Sequence, residues 1–428
     1  MNLVDGKILD TKDCDSVLES LDERILETLA KPPLTPKVVI NACDKLVNTL
    51  DKSLYSSALA QAGIPEELAD SYLAMARGMF SGEALRFRLK KEFGQDYDKV
   101  LKYTPVGGEN EVTERILPLG VLLHIAAGNA DGLPAFSVLE GLLTGNINIL
   151  KLPAAEGGIS IRLLYELIQI EPLLSEYIYV FDYSSQDIVH INKLIDAADA
   201  VVVWGGTGSV SAFRGMLPPH IKLIEWGHKV SFAYVTKDGR EDGKLAGIAK
   251  NMAHTSQLLC SSCQGIFLDT DDTREIDDFC RRFLPILEEA VAASAKPTDI
   301  GIKAQTALRV YSSELEKIYT GDRLFKGNGC SLRACNNQIP EAAIGFANAW
   351  IKPLPCRQIL KALRPYKNYL QTIALLCGEH EKDSLIADLL KTGAVRVCPG
   401  GRMSETYSGA PHDGEYPLRR YTKIASWE

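Results

Sequence analysis

The 428-residue chain lacks most features that would set it apart from ordinary globular proteins. No apolar run reaches the ~18 residues of a membrane span. The closest, Leu117–Ala127, is interrupted by Gly120 and His124. The start, MNLVDGKILDTKDCD, has mixed charge and no apolar core, so neither a secretory signal nor a membrane span is expected, and a cytoplasmic setting is. Cysteine is sparse. The ten, at positions 14, 43, 260, 263, 280, 330, 335, 356, 377 and 398, are too scattered for a disulfide framework and read as reduced thiols. There is no basic stripe. The balance of 47 basic against 55 acidic residues, net −8, excludes the usual electrostatic footprint of a nucleic-acid binder. Glycine (34) and proline (20) are not in excess, and there is no internal repeat, so collagen-like, low-complexity and solenoid classes fall away. What is present is 46% hydrophobic sequence, enough for two or three cored domains.

Residues 1–111 read as mainly helical, with apolar residues three and four apart in Val38–Leu50 and Glu66–Phe80. From 112 the pattern changes. Short apolar runs (Gly120–Ala127, Ile147–Leu152, Ile178–Phe181, Ala200–Trp204, Lys222–Glu225) alternate with helical stretches (Pro134–Leu143, Ile159–Ile168, Gln186–Ala198, Val210–Met216). Such alternation implies βαβ units and a parallel sheet buried on both faces. A second α/β stretch begins near Val230, with strands expected at Ser231–Val235, Gly265–Leu268, Tyr369–Leu376 and Ala394–Cys398. The fold class is therefore α/β, with a dinucleotide-binding domain over 112–229, a catalytic domain over 230–400 and a tail over 401–428. A cleft between the two α/β parts is the default place for a ligand.

Ligands of parallel sheets bind beyond the carboxyl ends of the strands, so the residues there carry the chemistry. Trp204 is followed by Gly205, Gly206, Thr207, Gly208 and Ser209, a turn that lets backbone N–H groups approach a phosphate at a helix start. It is not the GxGxxG fingerprint, and a bare strand–helix turn is the simpler reading. Lys151 ends a strand, where a cation suits a phosphate or ribose and an ordinary solvated lysine is equally common. Asn129 ends another; its amide can donate to an oxyanion or simply cap the next helix. Glu225 ends a third strand, where a carboxylate in apolar surroundings can act as a base. Between a helix and a strand lies Cys260-Ser261-Ser262-Cys263, whose small neighbours leave room for a substrate and for backbone donors to a thiolate. The same spacing admits a redox pair or a zinc site. Zinc needs further ligands, and no second CxxC or HxxH is present, so no metal is expected.

In this order the pieces resemble the aldehyde dehydrogenase superfamily, and most closely its fatty acyl-CoA reductase branch, the LuxC family. The resemblance spans about 112–425. It rests on Gly128-Asn129, Leu150-Lys151-Leu152-Pro153, Gly206-Thr207-Gly208, Glu225-Trp226-Gly227 and Cys260 with its Cys-Ser-Ser context. Lys367–Thr372 and Pro411–Gly414 are also similar to that branch. The late E-I-F-G-P motif of ordinary aldehyde dehydrogenases is missing. Gln257 stands three residues before Cys260, where the usual interval is two.

The resemblance implies an aldehyde dehydrogenase-like fold, with a Rossmann-type cofactor domain, a catalytic domain and a helical N-terminal segment. It implies Cys260 as nucleophile, Asn129 as oxyanion donor and Glu225 as proton relay or as the base that deprotonates Cys260, with Lys151 and Gly205–Ser209 at the cofactor. The implied reaction is reduction of a fatty acyl thioester to the aldehyde, from acyl-CoA or an acylated partner protein. NADPH is favoured over NADH because Ala154 stands where NAD-preferring relatives often carry Glu. Two alternatives remain: oxidation of an aldehyde with Glu225 activating water, and a non-catalytic scaffold on the same fold. The tail Tyr416–Trp427 resembles the superfamily's oligomerisation strand, which implies a homo-oligomer.

Overall fold

The apolar runs after residue 112 form parallel strands, and in Val121–Ile125 and Ala200–Trp204 alternate residues enter two separate cores. In the strands Val121–Ile125, Ile147–Lys151 and Ala200–Trp204 every residue is buried. Val121, Leu123, Ile125, Val201 and Val203 pack on one face, and Leu122, Ala200, Val202 and Trp204 on the other. Helices cover both faces, so a strand here has no polar side to show. The computed structural model describes residues 1–61, 66–95, 97, 99–126, 132–153, 158–294, 300–405 and 407–428. The chain divides into two units, Met1–Gly227 with Tyr407–Glu428, and His228–Thr406.

In the first unit the parallel strands run in the order Ile178–Phe181, Ile147–Lys151, Val121–Ile125, Ala200–Trp204, Lys222–Trp226. The order reverses beside Val121–Ile125, which makes the carboxyl ends of that strand and of Ala200–Trp204 the switch point of a doubly wound sheet. The sheet is longer than the sequence reading anticipates. Asn2–Val4 and Lys7–Leu9 form a hairpin, and the first of them pairs antiparallel with Ile178–Phe181. The hairpin turns on Asp5 and Gly6, both at positive φ, the Asp-Gly pair that a tight primed turn favours. Among the described residues six helices follow between Thr11 and Phe93.

Two buried polar clusters of this unit are paired. His124 is fully buried, with Nδ1 2.7 Å from Ser137 Oγ and Nε2 3.0 Å from Asn148 Oδ1; burial lowers its pKa to about 4. Arg88 lies between Glu92 and Glu140, and Tyr421 donates to Glu140 at 3.2 Å, which ties the end of the chain to the helices Gly82–Phe93 and Leu133–Leu143. A separate three-stranded sheet joins Leu101–Tyr103, Val112–Pro118 and Thr422–Trp427, with the last as an exposed edge.

The second unit is another seven-stranded sheet. Its central parallel strands are Asn348–Pro353, Cys263–Leu268, Val230–Val235 and Leu370–Leu376. Ala233, Val235, Ile266 and Leu268 face one core, and Phe232, Tyr234, Phe267 and Trp350 the other. Gly265 is required by this packing, because a Cβ there would stand 2.1 Å from the Trp350 ring. Arg323–Gly327, Cys330–Ala334 and Asn348–Pro353 lie in a stretch where the sequence reading assigns no strand. Among the described residues no helix is long and apolar enough to cross a membrane.

Candidate active site

Cys260 occupies a turn that its neighbours hold from several sides. The helix Asp242–Thr255 ends in two successive left-handed residues, Ser256 (φ 50°) and Gln257 (φ 60°). Neither is glycine, so the reversal is strained and must be held by contacts. The buried Gln257 Nε2 donates to Cys263 O at 2.9 Å, and Gln264 Nε2 donates back to Gln257 O at 3.0 Å. Asn251 Oδ1 accepts from Cys263 N at 2.9 Å, and Ser262 Oγ accepts from Leu259 N at 3.1 Å. The turn thus presents residue 260 on a fixed base.

The two cysteines of the CxxC separate cleanly. Cys260 is exposed at the turn. Cys263 is fully buried in the strand Cys263–Leu268, and burial pushes its thiol far up, so it is held as an inert thiol. Among the described residues no group of three or more His, Cys, Asp or Glu side chains is placed to hold a metal ion.

Two residues that the sequence reading did not single out meet Cys260. Gln371 Nε2 donates to Cys260 Sγ at 3.2 Å. The fully buried Ser231 donates from Oγ to Cys260 O at 2.6 Å and accepts from Thr372 N at 3.0 Å. Gln371 falls within the Lys367–Thr372 stretch that resembles the reductase branch, which was its only signal in the sequence.

The other predicted residues lie in the first unit. Lys151 is not a solvated lysine: its side chain is buried and its Nζ donates to Ser185 Oγ at 2.7 Å. Burial lowers its pKa, with Asp182 acting in the opposite sense. The glycine turn follows Ala200–Trp204, and Gly205 N donates to Trp226 O at 3.2 Å. A Cβ on Gly205 would stand 3.2 Å from Ser209 Cβ, whereas Gly206 and Gly208 border open space. The helix Thr207–Met216 opens without a capping side chain and contains no buried residue. Its first N–H groups therefore have no side-chain acceptor, as an anion site requires. These features fit the pyrophosphate and ribose of a nicotinamide dinucleotide.

Glu225 differs from its expected setting. It is not in apolar surroundings: a third of its side chain is exposed, and Arg214 Nη2 donates to its two carboxylate oxygens at 2.6 and 2.5 Å. A role as base requires that pair to open first. His412, in the Pro411–Gly414 stretch, lies 5.0 Å from the rings of both Trp204 and Trp226. Asn129 and Ala154 lie outside the described residues.

The family model described as acyl-CoA reductase (LuxC) matches residues 36–424. The long-chain acyl-protein thioester reductase of Vibrio harveyi is 24% identical over 331 residues, covering 75% of this chain and 66% of its own length. That of Aliivibrio fischeri is 22% identical over 323 residues, covering 73% and 64%. The chain thus spans slightly less than two thirds of the curated relatives it matches. Among solved structures, an NAD-dependent aldehyde dehydrogenase from Sinorhizobium meliloti superposes with TM-score 0.76 at 15% identity, covering 100% of this chain and 94% of that one. Lactaldehyde dehydrogenase from Escherichia coli gives 0.72 at 13%, covering 97% and 91%. At such identities the likeness is one of fold, and the fold is that of the aldehyde dehydrogenases.

Proposed function

The chain belongs to the acyl-CoA reductase (LuxC) family, and from that premise we propose that it reduces a fatty acyl thioester to the aldehyde with NADPH. The donor is acyl-CoA or an acylated partner protein; the relatives named as acyl-protein thioester reductases support the second source. The observation that carries the reading is the exposed Cys260, set on a pinned turn with a side-chain donor at its sulfur, three residues from a buried and inert cysteine.

Cys260 thiolate attacks the thioester carbonyl carbon. A new S–C bond forms and the carbonyl oxygen takes the negative charge. Asn129 and the Cys260 backbone N–H are assigned as its donors; loss of one such donor typically costs about 10²–10³ in rate. Collapse breaks the bond to the donor sulfur, which leaves as a thiolate and takes up a proton. The acyl group then sits on Cys260. Lys151, Gly205, Gly206, Thr207, Gly208 and Ser209 would hold the dinucleotide, which when bound supplies a hydride to that acyl carbon. NADH is the less favoured donor, since Ala154 offers no carboxylate to repel a 2′-phosphate. The aldehyde departs as the carbon–sulfur bond breaks, and Cys260 returns as thiolate.

The reverse direction, aldehyde oxidation with Glu225 activating water, has the same cysteine. The Arg214 pair counts against it, because both oxygens of the would-be base are engaged. In the reductive direction Glu225 is a proton relay once released. A homo-oligomer is supported by the open edge of Thr422–Trp427, whose unpaired backbone can accept a strand from a second copy. The test is product analysis. Incubation with long-chain acyl-CoA and NADPH should yield aldehyde, trapped as a hydrazone, and free CoA in equal amounts. Acid formed from aldehyde and NADP⁺, with no thioester consumed in the other assay, would replace this reading with the oxidative one.

A further inference from the structure

The second sheet is irregular at one place, and the irregularity points at Cys260. Val230 pairs with Leu370 and Phe232 with Ile373, so one residue on the first strand, Ser231, faces two on its neighbour, Gln371 and Thr372. On the other side Ser231 pairs with Cys263 and Ala233 with Ile266, so that neighbour also carries an extra residue. Bulges are rare between parallel strands, and where they occur beside active sites they re-aim a side chain. The packing shows the consequence. Leu370 and Ile373 enter the same core although they are three apart, which a regular strand forbids. The residue released from the alternation is Gln371, and its amide nitrogen reaches Cys260 Sγ at 3.2 Å.

Ser231 fastens this arrangement. It sits where both ladders slip, and its hydroxyl links Cys260 O to Thr372 N. One buried serine therefore ties the nucleophile's backbone to the bulge that carries Gln371. Gln371 is itself 6% exposed, so its amide is held rather than waving in solvent. An N–H aimed at sulfur favours the thiolate over the thiol, because it interacts more strongly with the charged form.

We propose that Gln371 is a catalytic residue, the side-chain donor that holds the Cys260 sulfur as thiolate before attack and receives it again when the aldehyde leaves. The proposal rests on Cys260 being the nucleophile. The thiol proton passes to solvent, and the Gln371 amide stays neutral throughout. The same donor acts twice in a turnover, because the sulfur is a thiolate at both its beginning and its end.

The test reads the sulfur without turnover. Iodoacetamide alkylation of Cys260, located by peptide mass, is followed from pH 5 to 10 in wild type, Gln371→Leu and Gln371→Glu. Gln371→Leu should move the profile to higher pH and slow labelling at pH 7 about tenfold. Gln371→Glu should move it further, since it sets a negative charge beside the sulfur. Labelling of the buried Cys263 should not change in either. The limiting rate of single-turnover acylation by acyl-CoA should fall, with the half-saturating acyl-CoA concentration nearly constant. An unchanged Cys260 profile in both variants would overturn the proposal. Should Gln371→Leu fail to fold, Gln371→Glu reads the same contact. Acylation that persists in Cys260→Ala would instead overturn the choice of nucleophile, an outcome separate from the alkylation result.

Discussion

The turn at Cys260 leads into a parallel strand, Cys263–Leu268, the turn at Gly205–Ser209 leaves one, Ala200–Trp204, and the two are built on opposite principles. At Cys260 the turn is held by six hydrogen-bonded side chains: Asn251, Gln257, Ser262, Gln264, Ser231 and Gln371. At Gly205–Ser209 side chains are withdrawn. Two of three glycines border open space, and the helix behind them buries nothing. A nucleophile needs its attacking atom fixed and its charge supported, so a protein surrounds it. A bound anion brings its own oxygens and needs only exposed N–H groups, so a protein clears room for it.

That contrast sets the expected sizes of four perturbations. The largest is Cys260→Ala. It should abolish acyl transfer, a loss of about 10⁴-fold or more as for other nucleophile deletions. Cys263→Ala, three residues away, should leave the acylation rate within a few-fold. Steady-state aldehyde formation checks both.

The second compares the units by pH. His124 is buried neutral under the first sheet, with its pKa lowered from 6.5 to about 4. The unfolded chain binds a proton below pH 6.5 that the folded chain refuses until pH is near 4. Stability is therefore fully present above pH 6.5 and is lost as pH falls toward 4. The loss amounts to about 3 kcal/mol, at ~1.4 kcal/mol per pKa unit. Urea unfolding at pH 7.5, 6 and 5 should show this slope, and His124→Asn should remove it.

The third acts on the glycine turn alone. Gly208→Asp places a carboxylate among the first N–H groups of the helix Thr207–Met216. The KM for NADPH should rise about ten- to a hundredfold through like-charge repulsion. Acyl-enzyme formation without cofactor should not change. A drop in acylation would mean that the two turns are not independent. The smallest effect is expected for Arg214→Ala, which frees Glu225. Hydrolysis of the acyl-enzyme to fatty acid should then gain at the expense of aldehyde, by a few-fold, as for partly exposed ion pairs. Product ratios by gas chromatography read it.

How much of this was legible in the sequence depends on whether the signal is local. The strands of the first sheet are continuous apolar runs, and burial on both faces follows from that alone. Cys260 and the glycine turn announce themselves by small residues in a short window. Asp5-Gly6 carried a hairpin signal that helical periodicity further along overshadowed. The rest depends on register and tertiary pairing. Gln371 reaches sulfur only because its strand slips against Ser231, and slippage is a property of two strands together. Arg214 reaches Glu225 from a helix eleven residues earlier, so the strand's own composition suggests an apolar setting it does not have. Lys151 reads either way from its strand alone, because its partner Ser185 comes from the loop after the adjoining strand.

The most direct test of the central claim is intact-protein mass after incubation with long-chain acyl-CoA in the absence of cofactor, for wild type and Cys260→Ala. A gain of one acyl group in the wild type, lost in the variant and discharged as aldehyde when NADPH is added, is the predicted result. An adduct that survives Cys260→Ala would contradict the account, because the sulfur held by the turn and by Gln371 would then not be the one that carries the acyl group.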